Sequence, residues 1–288
     1  MVTLRLMAVH AHPDDESSKG AATYAYYRSL GAEVMIVSCT GGERGSILNP
    51  ALTGHAMAER DLPGLRRLEM QGAQQALNVQ HRWLGYEDSG MDEGQDAPPN
   101  SFAAVSLEYS AEPLVNLIRE FRPQVLITYD ENGGYPHPDH IRCHEVSMEA
   151  YRAAADPSRY PHTGESWQIG KVYYDRIFNL ERIDAMYLAL SVAEPDSPLL
   201  EPLGAARERM ENYPKLATTH VPAGDFLEAR DAALRSHASQ VTPDSSFFFW
   251  PNDLVRAAWP YEDFQLVESK VDTAMPESDL FAGIQDDE

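Results

Sequence analysis

Apolar residues in this chain come in short unbroken runs separated by longer stretches where they recur at helical spacing. Residues 4–9, 34–39, 79–84 and 125–129 are such runs, each bounded by polar or turn-forming residues, and they predict buried strands. Between them, residues 17–30, 60–77, 104–121 and 139–154 have the length and spacing of helices, the first closed by Gly31 as a stop signal. Strand and helix alternate over roughly the first half of the chain, which predicts βαβ units, a parallel sheet and right-handed crossovers. The fold class expected is therefore α/β. A further strand is expected over 171–178, with helices over 225–237 and parts of 182–212.

No repeat or break in composition divides the chain. One domain is expected over residues 1–270, with a core to about 180 and a C-terminal α/β elaboration over 181–270. Residues 271–288 hold six acidic and no basic side chains and predict a mobile tail.

Composition narrows the function classes. The 288 residues are 43% hydrophobic and 24% charged, enough for a substantial core. A net charge of −22 opposes general affinity for nucleic acid or anionic membrane, both of which call for clustered basic residues. The two cysteines, Cys39 and Cys143, make no disulfide framework and suit buried small apolar positions. No stretch approaches the ~18 apolar residues of a membrane span, and no signal-like segment opens the chain, so a cytoplasmic setting is expected.

Two polar loops carry the chemistry. His12-Pro13-Asp14-Asp15-Glu16 stands where a predicted strand ends and a helix begins, the favoured ligand position of parallel sheets. Carboxylates there also suit the first turn of any helix, through the helix dipole. Tyr135-Pro136-His137-Pro138-Asp139-His140 stands in the equivalent place after a later strand, behind Asn132-Gly133-Gly134. If the loops meet, His12, Asp15 and His140 supply the three protein ligands of a catalytic zinc, leaving a fourth position for water. Asp14 and His137 then remain for proton transfer. The same ligand set accepts Fe2+.

Glu43 and Asp88 lie in polar loops after predicted strands, where carboxylates suit the hydroxyls of a bound ligand. Thr40-Gly41-Gly42-Glu43-Arg44-Gly45 matches neither phosphate-binding glycine pattern and reads as a substrate loop. His10 alternates with His12 along the strand end and reads as structural. His237, within Ser236-His237-Ala238-Ser239-Gln240, is a pocket-lining candidate outside the main set, and the aromatic run 247–250 is expected in core or interface.

These strings resemble the LmbE-like or PIG-L family of zinc-dependent N-deacetylases. The resemblance rests on 9–20, 40–45, 85–91 and 133–140 occurring in the same order, and is strongest to the branch handling mycothiol and its S-conjugates. It implies a Rossmann-like, mostly parallel sheet with helices on both faces and a metal at the strand carboxyl ends. It also implies one zinc per subunit on His12, Asp15 and His140, Asp14 as general base, and His137 with Tyr135 beside the scissile carbonyl. Arg66 resembles a position reaching the inositol side. Lys19, in Ser17-Ser18-Lys19-Gly20, resembles the amidase signature and is expected to reach the acyl or thioether half of the substrate.

The implied activity is hydrolysis of mycothiol S-conjugates to glucosaminyl-inositol and an N-acetylcysteine S-conjugate, a detoxification step on a small-molecule substrate. N-acetylglucosaminyl-inositol deacetylation is the nearest alternative. A sugar- or metal-binding protein without catalysis is the other; the spare Asp14 and His137 beside the ligands oppose it.

Overall fold

The computed structural model describes residues 3–91 and 97–284. Residues 92–96, and 285–288 at the end of the acidic segment, lie outside the described residues. Seven strands form one mixed sheet in the order β3-β2-β1-β4-β5-β7-β6. β1 (Arg5–His10), β2 (Glu33–Thr40), β3 (Gln80–Tyr86), β4 (Val125–Thr128) and β5 (Lys171–Asp175) run parallel. β7 (Glu262–Ser269) is antiparallel to β5, and β6 (Thr219–Val221) is antiparallel to β7. The sheet is thus α/β and mostly parallel, as expected.

The continuous apolar character of β1, β2 and β4 follows from burial on both faces. Leu6, Ala8, Val34 and Ile36 face one core layer, whereas Met7, Val9, Met35 and Val37 face the other. Helices α2 (Ala21–Ser29), α4 (Leu62–Leu77) and α9 (Leu227–Ser236) contribute to the first layer, while α5 (Leu107–Phe121) and α6 (Pro138–Ala154) fill the second. Three more helices, α7 (Leu180–Ala193), α8 (Leu200–Met210) and α10 (Asn252–Ala258), extend the first layer. None of the described helices is long and apolar enough to cross a membrane.

The structure redraws several elements. The helix expected over 17–30 is two, α1 (Asp15–Ser18) and α2, parted at Gly20. Gly20 has φ 101°, and a Cβ there would meet the Tyr24 ring at 2.6 Å. The helix expected over 60–77 is α4, which starts at Leu62 because the Asp61 side chain caps Gly64, and a short α3 (Ala56–Arg60) precedes it.

The acidic segment after Lys270 is folded through residue 284, contrary to the mobile tail expected from its charge. Leu280 and Phe281 are buried in the first core layer. Glu277 is paired with the fully buried Lys171 and accepts from Tyr173 Oη at 2.8 Å and Thr219 Oγ1 at 2.9 Å. The missing basic partner lies upstream, on β5, which a reading of the segment alone cannot supply.

Candidate active site

β1 and β4 are neighbours in the sheet, yet the chain leaves β1 toward β2 on one side and β4 toward β5 on the other. Such a reversal of strand order opens a crevice at the carboxyl ends, and both polar loops empty into it.

The first loop is held in an unusual conformation. Asp14 has φ 98° and ψ −26°, the left-handed region that costs a residue with a Cβ roughly 1–3 kcal/mol. Its amide donates to Glu16 Oε2 at 2.9 Å, and Glu16 Oε1 in turn meets His237 Nε2 at 2.7 Å. Both Glu16 and His237 are fully buried. Arg66, only 3% exposed, donates to Gly42 O at 2.9 Å and Pro13 O at 2.6 Å, and lies 3.3 Å from Asp14 Oδ2. It therefore clamps the loop and the candidate base, rather than lying open to an inositol.

The second loop is shaped by glycine. Gly133 has φ 71°, and a Cβ there would meet His140 Cβ at 2.5 Å, so only glycine lets the turn approach α6 this closely. His140 Nδ1 donates to Gly133 O at 2.9 Å. That bond fixes the tautomer and leaves Nε2 with a lone pair, 3.3 Å from Asp15 Oδ2. Nε2 is buried and has no hydrogen-bond partner.

Among the described residues two groups of side chains can converge on an ion: His12, Asp15 and His140, and His12, Asp88 and His137, with ligand atoms within 4.8 Å of one another in each. The first is the better cradle. Its orphaned His140 nitrogen costs about 1–3 kcal/mol unless something binds it. Asp88, by contrast, already accepts from the Gly90 amide at 2.8 Å and the Arg44 amide at 3.1 Å.

The electrostatics favour a cation at this point. Burial would lower the His12 pKa, but Asp139, Asp15 and Asp88 around the ring hold it well above the ordinary value. Burial would likewise raise Asp15, yet His140 and Lys19 hold it well below the carboxylate range, so it is anionic at neutral pH. Asp14 shows the opposite: burial raises its carboxyl above 3.8, against the pull of Arg66.

His137 is pushed down to about 4 by burial and then by His12, so its ring is neutral at pH 7. Its Nδ1 accepts from the Asp139 amide at 3.1 Å, which leaves the proton on Nε2. Tyr135, 43% exposed, packs its ring 4.4 Å from that of His140. Glu43 accepts from the Gly41 and Asp88 amides through one oxygen, at 3.2 and 3.1 Å, and is half-buried. Lys19 places its ammonium 2.5 Å from Asp15 Oδ1.

Three features escaped the sequence reading. Asp139 lies inside the quoted motif but had no role; its Oδ2 is 3.3 Å from His12 Nε2 and accepts from the Ser89 amide at 2.9 Å. The Glu16–His237 pair joins residues far apart in the chain, with no local signal to link them. His10 was placed as structural, but its circuit was not legible. The Ala11 amide donates to Tyr129 Oη at 3.2 Å, leaving that hydroxyl to donate to His10 Nδ1 at 3.1 Å. His10 Nε2 then donates to Tyr24 Oη at 2.9 Å, which donates to Lys19 O at 3.0 Å. A neutral His10 is required throughout, in keeping with a pKa lowered by burial to about 4.

Residues 7–151 match the profile of PIG-L, GlcNAc-PI de-N-acetylase, a span that takes in both loops. The chain belongs to the PIG-L family. Among its PIG-L relatives, a mycothiol S-conjugate amidase of Streptomyces coelicolor is 50% identical over 98% of both chains. A 1D-myo-inositol 2-acetamido-2-deoxy-alpha-D-glucopyranoside deacetylase of Streptomyces scabiei is 40% identical over 97% of this chain and 90% of its own. The N,N'-diacetylchitobiose deacetylase of Pyrococcus horikoshii shares the fold, with a TM-score of 0.60 at 20% identity over 91% of this chain and 83% of its own.

Proposed function

We propose that this PIG-L chain is a metal-dependent amidase that hydrolyses mycothiol S-conjugates, releasing glucosaminyl-inositol and an N-acetylcysteine S-conjugate. The observation carrying the hydrolase reading is the buried His12–Asp15–His140 cluster, with the unpartnered His140 nitrogen 3.3 Å from Asp15 Oδ2. The substrate reading is supported by 50% identity to the amidase against 40% to the deacetylase.

The cluster suits zinc, with Fe2+ accepted by the same donors. When bound, the metal supplies Lewis acidity, polarising the amide carbonyl and acidifying water. The chain's own groups do the rest. Asp14, its carboxyl raised toward neutrality by burial, accepts one proton from the attacking water and returns it to the departing nitrogen. The carbon–oxygen bond forms first, and the tetrahedral adduct then breaks its carbon–nitrogen bond, leaving a carboxylic acid and an amine that exchange the remaining water proton to become carboxylate and ammonium. Arg66 keeps Asp14 oriented. His137, neutral with its proton on Nε2, donates a hydrogen bond to the developing oxyanion, so no imidazolium is required. Tyr135 stands half-exposed over His140, placed to cover the bound amide. Lys19, held on Asp15, is the side chain nearest in sequence to the ligands that can select the acyl group.

The test offers the purified, zinc-loaded protein a mycothiol S-conjugate and N-acetylglucosaminyl-inositol side by side. Faster release of the N-acetylcysteine conjugate, lost on chelation and restored by zinc, is expected. Preference for the acetyl sugar moves the chain to the deacetylase reading, and no turnover of both refutes the hydrolase assignment.

A further inference from the structure

A cavity of about 270 Å³ lies among α7, α8, α9 and residues 246–250, close to the small end of the ~300–1,000 Å³ typical of ligand pockets. Its walls are largely apolar: Met186 from α7, Leu203 from α8, Leu234 from α9 and Phe248 from the loop. At its mouth Phe178 and Phe247 stack with centroids 5.6 Å apart, although 48% and 61% exposed. Leaving two stacked phenylalanines in water is unfavourable unless something covers them. Arg182, Arg209 and Arg230 also line the space, and the Arg230 guanidinium is already bonded to Asp231 and Asn252.

The cavity reaches the helix that carries Asp15 through Ser18. Ser18 is on its wall and donates through Oγ to Asp15 O at 3.2 Å. Three residue steps of helix take Asp15 to Ser18, about 4.5 Å along the axis. α9, which supplies Leu234, ends at His237 on Glu16. In a cysteine-derived amide the sulfur is three bonds from the scissile carbonyl carbon, a reach of about the same length. An acetyl group ends at its methyl and goes no farther than the metal centre itself.

We propose that this cavity is the subsite for the apolar substituent carried on sulfur by the thioether substrate, with Phe178 and Phe247 as its aromatic lip. The inference rests on the amidase reading above and adds the part of the substrate that reading leaves unplaced. The carbonyl sits at His12, Asp15 and His140, the cysteinyl carbons pass Ser18 and Lys19, and the group on sulfur enters between the phenylalanines. Burial of an aryl group there favours binding by about tenfold or more over a methyl.

The experiment compares S-methyl, S-benzyl and S-(naphthylmethyl) conjugates of mycothiol on the zinc-loaded wild type and on Phe178→Ala/Phe247→Ala. The two side chains are exposed, so the double variant is expected to fold; its circular dichroism and melting temperature are checked beside the wild type. In the wild type kcat/KM is expected to rise at least tenfold from methyl to the aryl conjugates, mainly through KM. The ratio is expected to fall to within about threefold of unity in the double variant. Turnover of the S-methyl conjugate with no aryl preference, or a preference the double variant retains, overturns the subsite while the amidase reading stands. No turnover of any conjugate, S-methyl included, overturns both.

Discussion

His237 Nε2 lies 2.7 Å from Glu16 Oε1, and the other oxygen of the same carboxylate accepts the amide of Asp14. A buried pair thus fixes the backbone of the residue proposed to take the proton. Glu16 is held down to about 2: burial raises it, but His237 and Ser17 outweigh that effect. His237→Ala is expected to lower kcat by about tenfold to a hundredfold, the usual cost of losing such a supporting contact. Metal content by atomic absorption should stay at the wild-type stoichiometry. A variant with full kcat refutes the positioning role.

Asp14→Asn keeps the size and removes the base. Turnover is expected to fall about 10²–10⁴-fold with metal content unchanged, measured by steady-state kinetics beside metal analysis. Unaltered turnover assigns the proton transfer elsewhere.

Gly133→Ala tests the turn that presents His140. The added methyl meets the His140 Cβ at 2.5 Å, and φ 71° is strained for alanine besides. The expected cost is roughly 1–3 kcal/mol by urea unfolding, with weaker zinc binding by competition with a chromogenic chelator.

The Lys171–Glu277 pair makes the stability of the C-terminal segment depend on pH. Burial alone would raise the Glu277 carboxyl, but Lys171, Thr273, Tyr173 and Thr219 together hold it below 4.5. A carboxylate with a depressed folded pKa stabilises fully above its unfolded value, and that contribution is lost as pH falls from about 4.5 through the folded value. Glu277→Gln leaves Lys171 charged and buried, with an expected loss of about 3–5 kcal/mol at neutral pH. Urea midpoints of wild type and variant should converge as the pH drops below about 4.5; a constant gap excludes the carboxylate as the cause.

The strands β1 to β5 and the two chemical loops were legible in the chain because each depends on local information, although β3 is an edge strand of exposed and half-buried residues and not the buried strand expected. A fully buried parallel strand is a short apolar run, and a loop that binds a metal gathers His and Asp within a few residues. The short edge strand β6 and its neighbour β7 carried no such signature, since β7 is placed by β5 and β6 by β7, not by their own patterns. The break at Gly20 was similarly hidden inside a segment of helical composition.

By itself, the sequence determined the α/β class, the polar loops at strand ends and the residue types able to hold a metal and move a proton. Only the tertiary structure decided which of them meet. It set His140 against Asp15, turned Arg66 and Asp88 inward to protein partners, joined His237 to Glu16 and buried Glu277 on Lys171. The reason is that local conformation is encoded in neighbouring side chains. Contacts between distant segments depend on strand order and register, which the chain specifies only collectively, by burying every apolar face at once.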